Sequence, residues 1–251
     1  MPAPPLLELC VRLSRIVLPS TDVEACVAFF REVLQLEVSG RVVHAGWTDI
    51  VVEPASALGV GAVHLAFNVP HDRFDRACEW IASRALVLRD PLGEERFHLD
   101  APWDSQSLYF AGPHGAVLEL IARRSLVAPV RGWGDFHGSE IACVSEVGLP
   151  TDDVPGLVRD LVVRHGIAPF GAVSDTFAAM GGDEGLLIVV DRERPWFPES
   201  RRLPWARGVR VAMSGVVAGE TLGGVEGWVV SGVARGRAPT RGDVGGFPGR
   251  S

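Results

Sequence analysis

The chain has 251 residues, 47% of them apolar and 22% charged, the balance of a globular protein rather than a disordered one. Its formal net charge of -7 gives no electrostatic footprint for nucleic acid. Every basic residue is arginine, which excludes a Schiff-base lysine and a phosphate-loop lysine.

The four cysteines, Cys10, Cys26, Cys78 and Cys143, are scattered and form no Cys-x-x-Cys pair. Zinc ribbons and thioredoxin-type sites are therefore not expected, and reduced, buried thiols are. No apolar stretch reaches the ~20 residues of a membrane span. The start, Met-Pro-Ala-Pro-Pro, has no positive region followed by an apolar core. A cytoplasmic protein without a membrane partner is the expectation.

In chain order, residues 11–18 read as a strand, and Ser20-Thr21-Asp22-Val23-Glu24 opens a helix. Thr21 and Glu24 have capping-box spacing, and Val23, Val27, Phe30 and Leu34 form one apolar stripe. Short strands are expected near 36–39, 41–45 and 49–53. The pattern then repeats, with a strand at 62–69 and a helix from Asp72 to about Arg84. Strands follow near 87–89, 97–99 and 108–111, and the run Val117-Leu-Glu-Leu-Ile closes the unit. Gly112-Pro-His-Gly115 between the last two strands is a tight turn. A third copy begins at Ile141, with a helix from Asp152 or Asp153, Gly166 as its C-cap, and strands at 177–180 and 186–190. A fourth, weaker unit has strands near 209–214 and 228–233 and no clear helix. Repeats of ~50–65 residues are the main architectural signal.

Glu119 is the anomaly, because a carboxylate in an apolar strand is costly unless paired, metal-bound or protonated. Period-two alternation places Val63, Leu65, Phe67 and Val69 toward the helix and His64 away from it. The same rule turns Arg15, Glu53 and Glu119 away from their helices, so four strands each offer one polar group to a shared face. Trp47, Trp103 and Tyr109 are candidate walls of a small-molecule pocket, and His98 is a candidate acid or base. No Gly-x-Ser-x-Gly elbow and no Gly-x-Gly-x-x-Gly after a strand support a serine hydrolase or a Rossmann site.

Four segments resemble the vicinal oxygen chelate superfamily, which includes glyoxalases, extradiol dioxygenases and bleomycin- or fosfomycin-resistance proteins. They are Ile16-Val-Leu-Pro-Ser-Thr-Asp-Val-Glu with the helix after it, Val63-His-Leu-Ala-Phe, Ser107 to Arg123, and Val147-Gly-Leu-Pro-Thr-Asp-Asp-Val. Together they span most of residues 11–191. The resemblance implies an α+β fold of tandem βαβββ modules forming half-barrel domains. It implies a paired-module domain at 11–124 and a second, partly degenerate domain at 139–233, separated by the glycine- and proline-rich linker at 125–138 and followed by a Gly-, Arg- and Pro-rich, flexible tail at 234–251. It also implies a divalent metal, with ligands from the first and last strand of each module. Carried over, those positions are Arg15, Glu53, His64 and Glu119. His64, Glu119 and Glu53 are of ligand type, whereas Arg15 is not, since a guanidinium never deprotonates. In the third unit Glu146 takes the first-strand position and Ile188 the last, so a second metal site is not expected there.

Three readings of the cluster stay open. His64, Glu119 and Glu53 hold Fe(II), Mn(II), Ni(II) or Zn(II) for a lyase, isomerase or dioxygenase, with Glu119 moving protons. Alternatively, Arg15 replaces the metal charge, as a partner of Glu119 or Glu53, in a binding protein of the bleomycin-resistance type. In the third reading the cluster is structural. The partner is a small molecule, and a monomer and a homodimer both fit.

Overall fold

The computed structural model describes residues 11–59, 61–126, 133–222 and 227–233. The first unit is strand β1 (Arg12–Ser20), helix α1 (Val23–Ala28) running into a wider π-type turn (Phe29–Val33), and strands β2 (Glu37–Ser39), β3 (Val42–Ala45) and β4 (Thr48–Pro54). The second is β5 (His64–Asn68), α2 (Phe74–Ala82), β6 (Arg96–Leu99), β7 (Ser105–Ala111) and β8 (Val117–Arg123). The third is β9 (Cys143–Thr151), α3 (Val154–His165), β10 (Phe177–Gly182) and β11 (Gly185–Asp191), one strand short of the pattern among the described residues. The fourth has β12 (Arg210–Ser214), β13 (Gly219–Leu222) and β14 (Val229–Val233). This is the α+β arrangement of βαβββ modules curled into half-barrels.

Local chemistry explains most boundaries. Asp22, not Thr21, caps α1, its carboxylate accepting from the Ala25 amide at 2.9 Å. The Ser20 hydroxyl is already engaged with the Asp22 amide, which sets the cap one residue later than the Thr21–Glu24 spacing suggests. Asp153 caps α3 and Gly166 ends it at φ +67°, a left-handed conformation that favours glycine. The 87–89 segment makes only an isolated bridge, Val87 to Phe110, and is no strand.

The strands form two sheets of seven, in the orders β13-β14-β12-β1-β4-β3-β2 and β10-β11-β9-β5-β8-β7-β6. The first unit therefore pairs with the fourth, through antiparallel β1–β12, and the second with the third, through antiparallel β5–β9. These sheets run across the expected division at 125–138. The expected pairing of the first two units does not occur, because each unit presents a similar first strand for pairing and the period alone cannot say which two meet. The tail at 234–251 lies outside the described residues. The main apolar core spans both sheets, with Leu13, Ile16 and Phe30 from the first unit and Leu65, Phe67 and Ile81 from the second in the same cluster, and a smaller cluster including Val117, Ile188 and Trp196 belongs to the second sheet.

Candidate metal centre

The site lies on the second sheet, on the face away from α2 and α3. Parallel β5–β8 pairing sets Ala66 opposite Glu119, and antiparallel β5–β9 pairing sets Ala66 opposite Glu146. The two carboxylates thus flank a methyl group, which leaves the space between them open. His64, two residues earlier on β5, shares their face. All three side chains are buried, with exposures of 5% for His64, 2% for Glu119 and 4% for Glu146.

His64 Nδ1 lies 3.1 Å from the Val117 carbonyl, so it carries the proton and donates it there. The lone pair on Nε2 then faces Glu119 Oε2 at 3.6 Å and Glu146 Oε2 at 3.7 Å. Both gaps are too long for hydrogen bonds. They lie at and just beyond the top of the roughly 3.3–3.6 Å between donors held about 2.0–2.2 Å from a tetrahedral ion, close enough for small side-chain shifts to close. An imidazole fixed by a carbonyl and two carboxylates from neighbouring strands therefore fit a divalent cation.

Arg123, at the end of β8, is fully buried beside this group. Its Nη2 donates to Glu146 Oε1, its Nη1 donates to Ser145 Oγ at 2.8 Å, and its Nε lies 3.4 Å from Asp183 Oδ1. The carboxylates consequently differ. Burial pushes Glu119 up to about 7, helped by the charge of Glu146. Burial works the same way on Glu146, but Arg123 and His64 outweigh it and hold its carboxyl below the ordinary range. Burial also opposes charge on His64, yet Glu146 and Glu119 outweigh that and hold its pKa above the usual histidine value. Tyr109, opposite Glu119 on β7, is held far above its ordinary value by burial and by both carboxylates.

Above the donors opens a cleft of ≈ 550 Å³. Trp103 and Tyr109 line it, and His98 lines its outer part, exposed and 3.6 Å from Asp100. Trp196 packs against His64 with ring centres 5.0 Å apart and is pinned by its Nε1–H to the Ala62 carbonyl at 2.8 Å.

Three expected residues lie elsewhere. Arg15 and Glu53 belong to the other sheet: Arg15 is exposed, and Glu53 accepts from Arg210 at 2.7 Å. They fail to join His64 and Glu119 because the first unit pairs with the fourth. Trp47, in the β3–β4 turn, is not a cleft residue and lies under the Arg12 guanidinium at 4.6 Å. Conversely, Glu146, Arg123 and Trp196 complete the site. Glu146 carried the same signal as Glu119, an acid in an apolar strand, and needed only the β5–β9 pairing to be placed.

Neither a protein-family model nor a curated protein matches the chain. Solved structures do. Glyoxalase I from Zea mays is 13% identical, covers 89% of this chain and 92% of its own, and superposes with a TM-score of 0.53. A presumed dioxygenase from Bacillus subtilis is 15% identical, covers 80% of this chain and 69% of its own, and gives a TM-score of 0.54. The chain shares the fold of these two proteins, and at these identities the likeness is one of fold alone. No described helix is long and apolar enough to cross a membrane.

Proposed function

We propose that the protein is a divalent-metal enzyme acting on a small molecule in the cleft of the second sheet, with His64, Glu119 and Glu146 as the metal-holding residues. The observation that carries this reading is the convergence of three buried donors of metal-binding type, from three adjacent strands, at the floor of an open cleft. Fe(II), Mn(II), Ni(II) and Zn(II) all suit one imidazole and two carboxylates. Bound there, such an ion polarises a substrate oxygen and stabilises the charge that develops on it.

The chain's own groups divide the remaining work. The Val117 carbonyl orients His64, as outer partners of ligating histidines do. Arg123 takes one oxygen of Glu146 and leaves the other facing the centre. Glu119, to which no arginine is bonded among the described residues, is the carboxylate assigned to take and return a proton. Trp196 closes the floor beside His64 against water. Every donor comes from one chain, so a second copy is not needed to build the site.

The metal-free binding protein loses Arg15 as its cation, but Arg123, already bonded to Glu146, could fill that role. One measurement decides between the two. Protein purified without added metal is assayed for metal and then titrated with Mn(II), Co(II) and Zn(II). Near-stoichiometric uptake, lost in His64→Ala, is expected; no uptake by the folded native chain would overturn the metal enzyme.

A further inference from the structure

The cleft is polar at its floor and again at its rim, and aromatic between. Phe97 and Tyr109, from β6 and β7, meet Phe197 edge-on, with ring centres 4.5 Å (Phe97–Phe197) and 5.3 Å (Tyr109–Phe197) apart. On the third unit's side Phe177 from β10 lines the same cleft, as does Trp103, itself braced edge-on by Phe170 at 5.3 Å. A site walled by ring faces and edges on both sides selects flat, apolar molecules.

The charged groups of the rim are mostly committed. Arg96 bonds to Asp75 at 2.7 Å, His98 lies 3.6 Å from Asp100, and Asp90 accepts from the amides of Leu92 and Glu94. Arg194 is different. Its guanidinium stacks over the Phe177 ring at 4.7 Å, and no carboxylate pairs with it among the described residues. It stands at the rim end of an aromatic wall, where a ligand lying on Phe177 would meet it. Glu94, exposed at the tip of the 90–95 loop, is the opposing rim charge.

We propose that the ligand of this cleft is a flat aromatic molecule bearing an anionic substituent, its ring held between the Tyr109 and Phe177 walls and its anion bound by Arg194. This rests on the reading of the cleft as the substrate site and adds the substrate class to it. The ring end reaches the His64, Glu119 and Glu146 floor, and the charged end stays at the rim.

The test uses three probes with one ring system and three charges: 2-naphthoate, 2-naphthol and 2-naphthylmethylamine. Binding to the full chain is measured by calorimetry, with and without Mn(II), for the native protein, Arg194→Ala and Phe177→Ala. Naphthoate should bind about three- to fivefold more tightly than naphthol, the worth of a part-exposed ion pair. Arg194→Ala, at an exposed position, should erase that preference without weakening naphthol. Phe177→Ala should weaken all three about tenfold through lost ring contact. Tighter binding of the amine than of naphthoate, a naphthoate preference that survives Arg194→Ala, or no binding of any ring would overturn the proposal. Metal uptake is read in the same samples. A chain that takes up no metal but keeps the Arg194-dependent preference would defeat the metal enzyme and leave the substrate class standing.

Discussion

The two buried glutamates show how neighbours divide the roles of identical side chains. Glu146 is bonded to Arg123 and stays charged, whereas burial, helped by the charge of Glu146, favours the protonated form of Glu119. Two predictions follow at this scale. First, Arg123→Met frees Glu146 to turn, and metal affinity should fall about 10- to 100-fold, as for other partners of ligating groups. Asp183→Asn, which touches the centre only through Arg123, should give a smaller loss in the same direction. Cobalt titration followed by its visible spectrum measures both, and tighter cobalt binding in Arg123→Met would mean that Arg123 competes with the ion rather than assisting it. Second, the raised pKa of Glu119 makes metal-free stability depend on pH. A carboxyl that titrates at 4.5 when unfolded and at about 7 when folded contributes stability below pH 4.5 and loses it as pH rises through 7. The loss is about 3 kcal/mol for a fully buried group, and His64, also raised, erodes stability in the same direction. Thermal melts of metal-free protein should therefore fall between pH 5 and 7.5. Glu119→Gln should flatten that slope, and so should saturating metal, because a cation makes the charged carboxylate the favoured form; a slope unchanged in the variant would refute the assignment.

At the scale of elements, the site depends on what is small. Gly148 on β9 lies two residues past Glu146 and faces the cleft floor. A Cβ there would stand 2.6 Å from the Trp196 ring and 3.1 Å from the His64 Cβ. Trp196 cannot yield easily, since its Nε1–H is bonded to the Ala62 carbonyl. Gly148→Ala should cost about 1–3 kcal/mol by overpacking and also weaken metal binding by shifting His64. Gly182→Ala on β10, with nothing within 4 Å of the added carbon, should do neither. Melting curves and metal titrations of the two variants make the comparison. Elements of this kind were largely legible in the sequence. Alternation alone turned His64 and Glu119 to one face, the Gly112-Pro113-His114-Gly115 turn forms with His114 and Gly115 at φ +53° and +76°, and Asp153 and Gly166 bound α3. What alternation could not supply is which strand lies beside which. Arg15 and Glu53 satisfy the same facing rule as His64 and Glu119, yet they sit on another sheet. Glu146 was visible as an acid in an apolar strand, but its meeting with Glu119 across Ala66 is a product of long-range pairing, to which local pattern is blind.

At the scale of the molecule, the nested pairing of first with fourth unit and second with third makes the site depend on strands far from it. The second sheet holds every donor, but the fourth unit, at the far end of the chain, braces it. Trp228, just before β14, is 1% exposed, and its Nε1–H donates to the Pro150 carbonyl of β9 at 2.8 Å. A strand of the first sheet is thereby pinned to the strand that carries Glu146. Thr48 of β4 makes a second tie, bonding the Leu13 carbonyl at 2.8 Å while accepting from the Val144 amide of β9 at 3.1 Å. With the main core common to both sheets, the chain should unfold in a single transition. Trp228→Ala removes a large buried ring and should cost about 3–5 kcal/mol. For a chain of this length that lowers the melting temperature by roughly 6–20 °C. The informative result is the shape of the melt. If the sheets are one cooperative unit, calorimetry of Trp228→Ala shows one peak moved down intact, and metal added to the second sheet raises that whole peak, the first sheet included. Two peaks, with only the upper one responding to metal, would show instead that the sheets are separable and that the fourth unit supports the first alone.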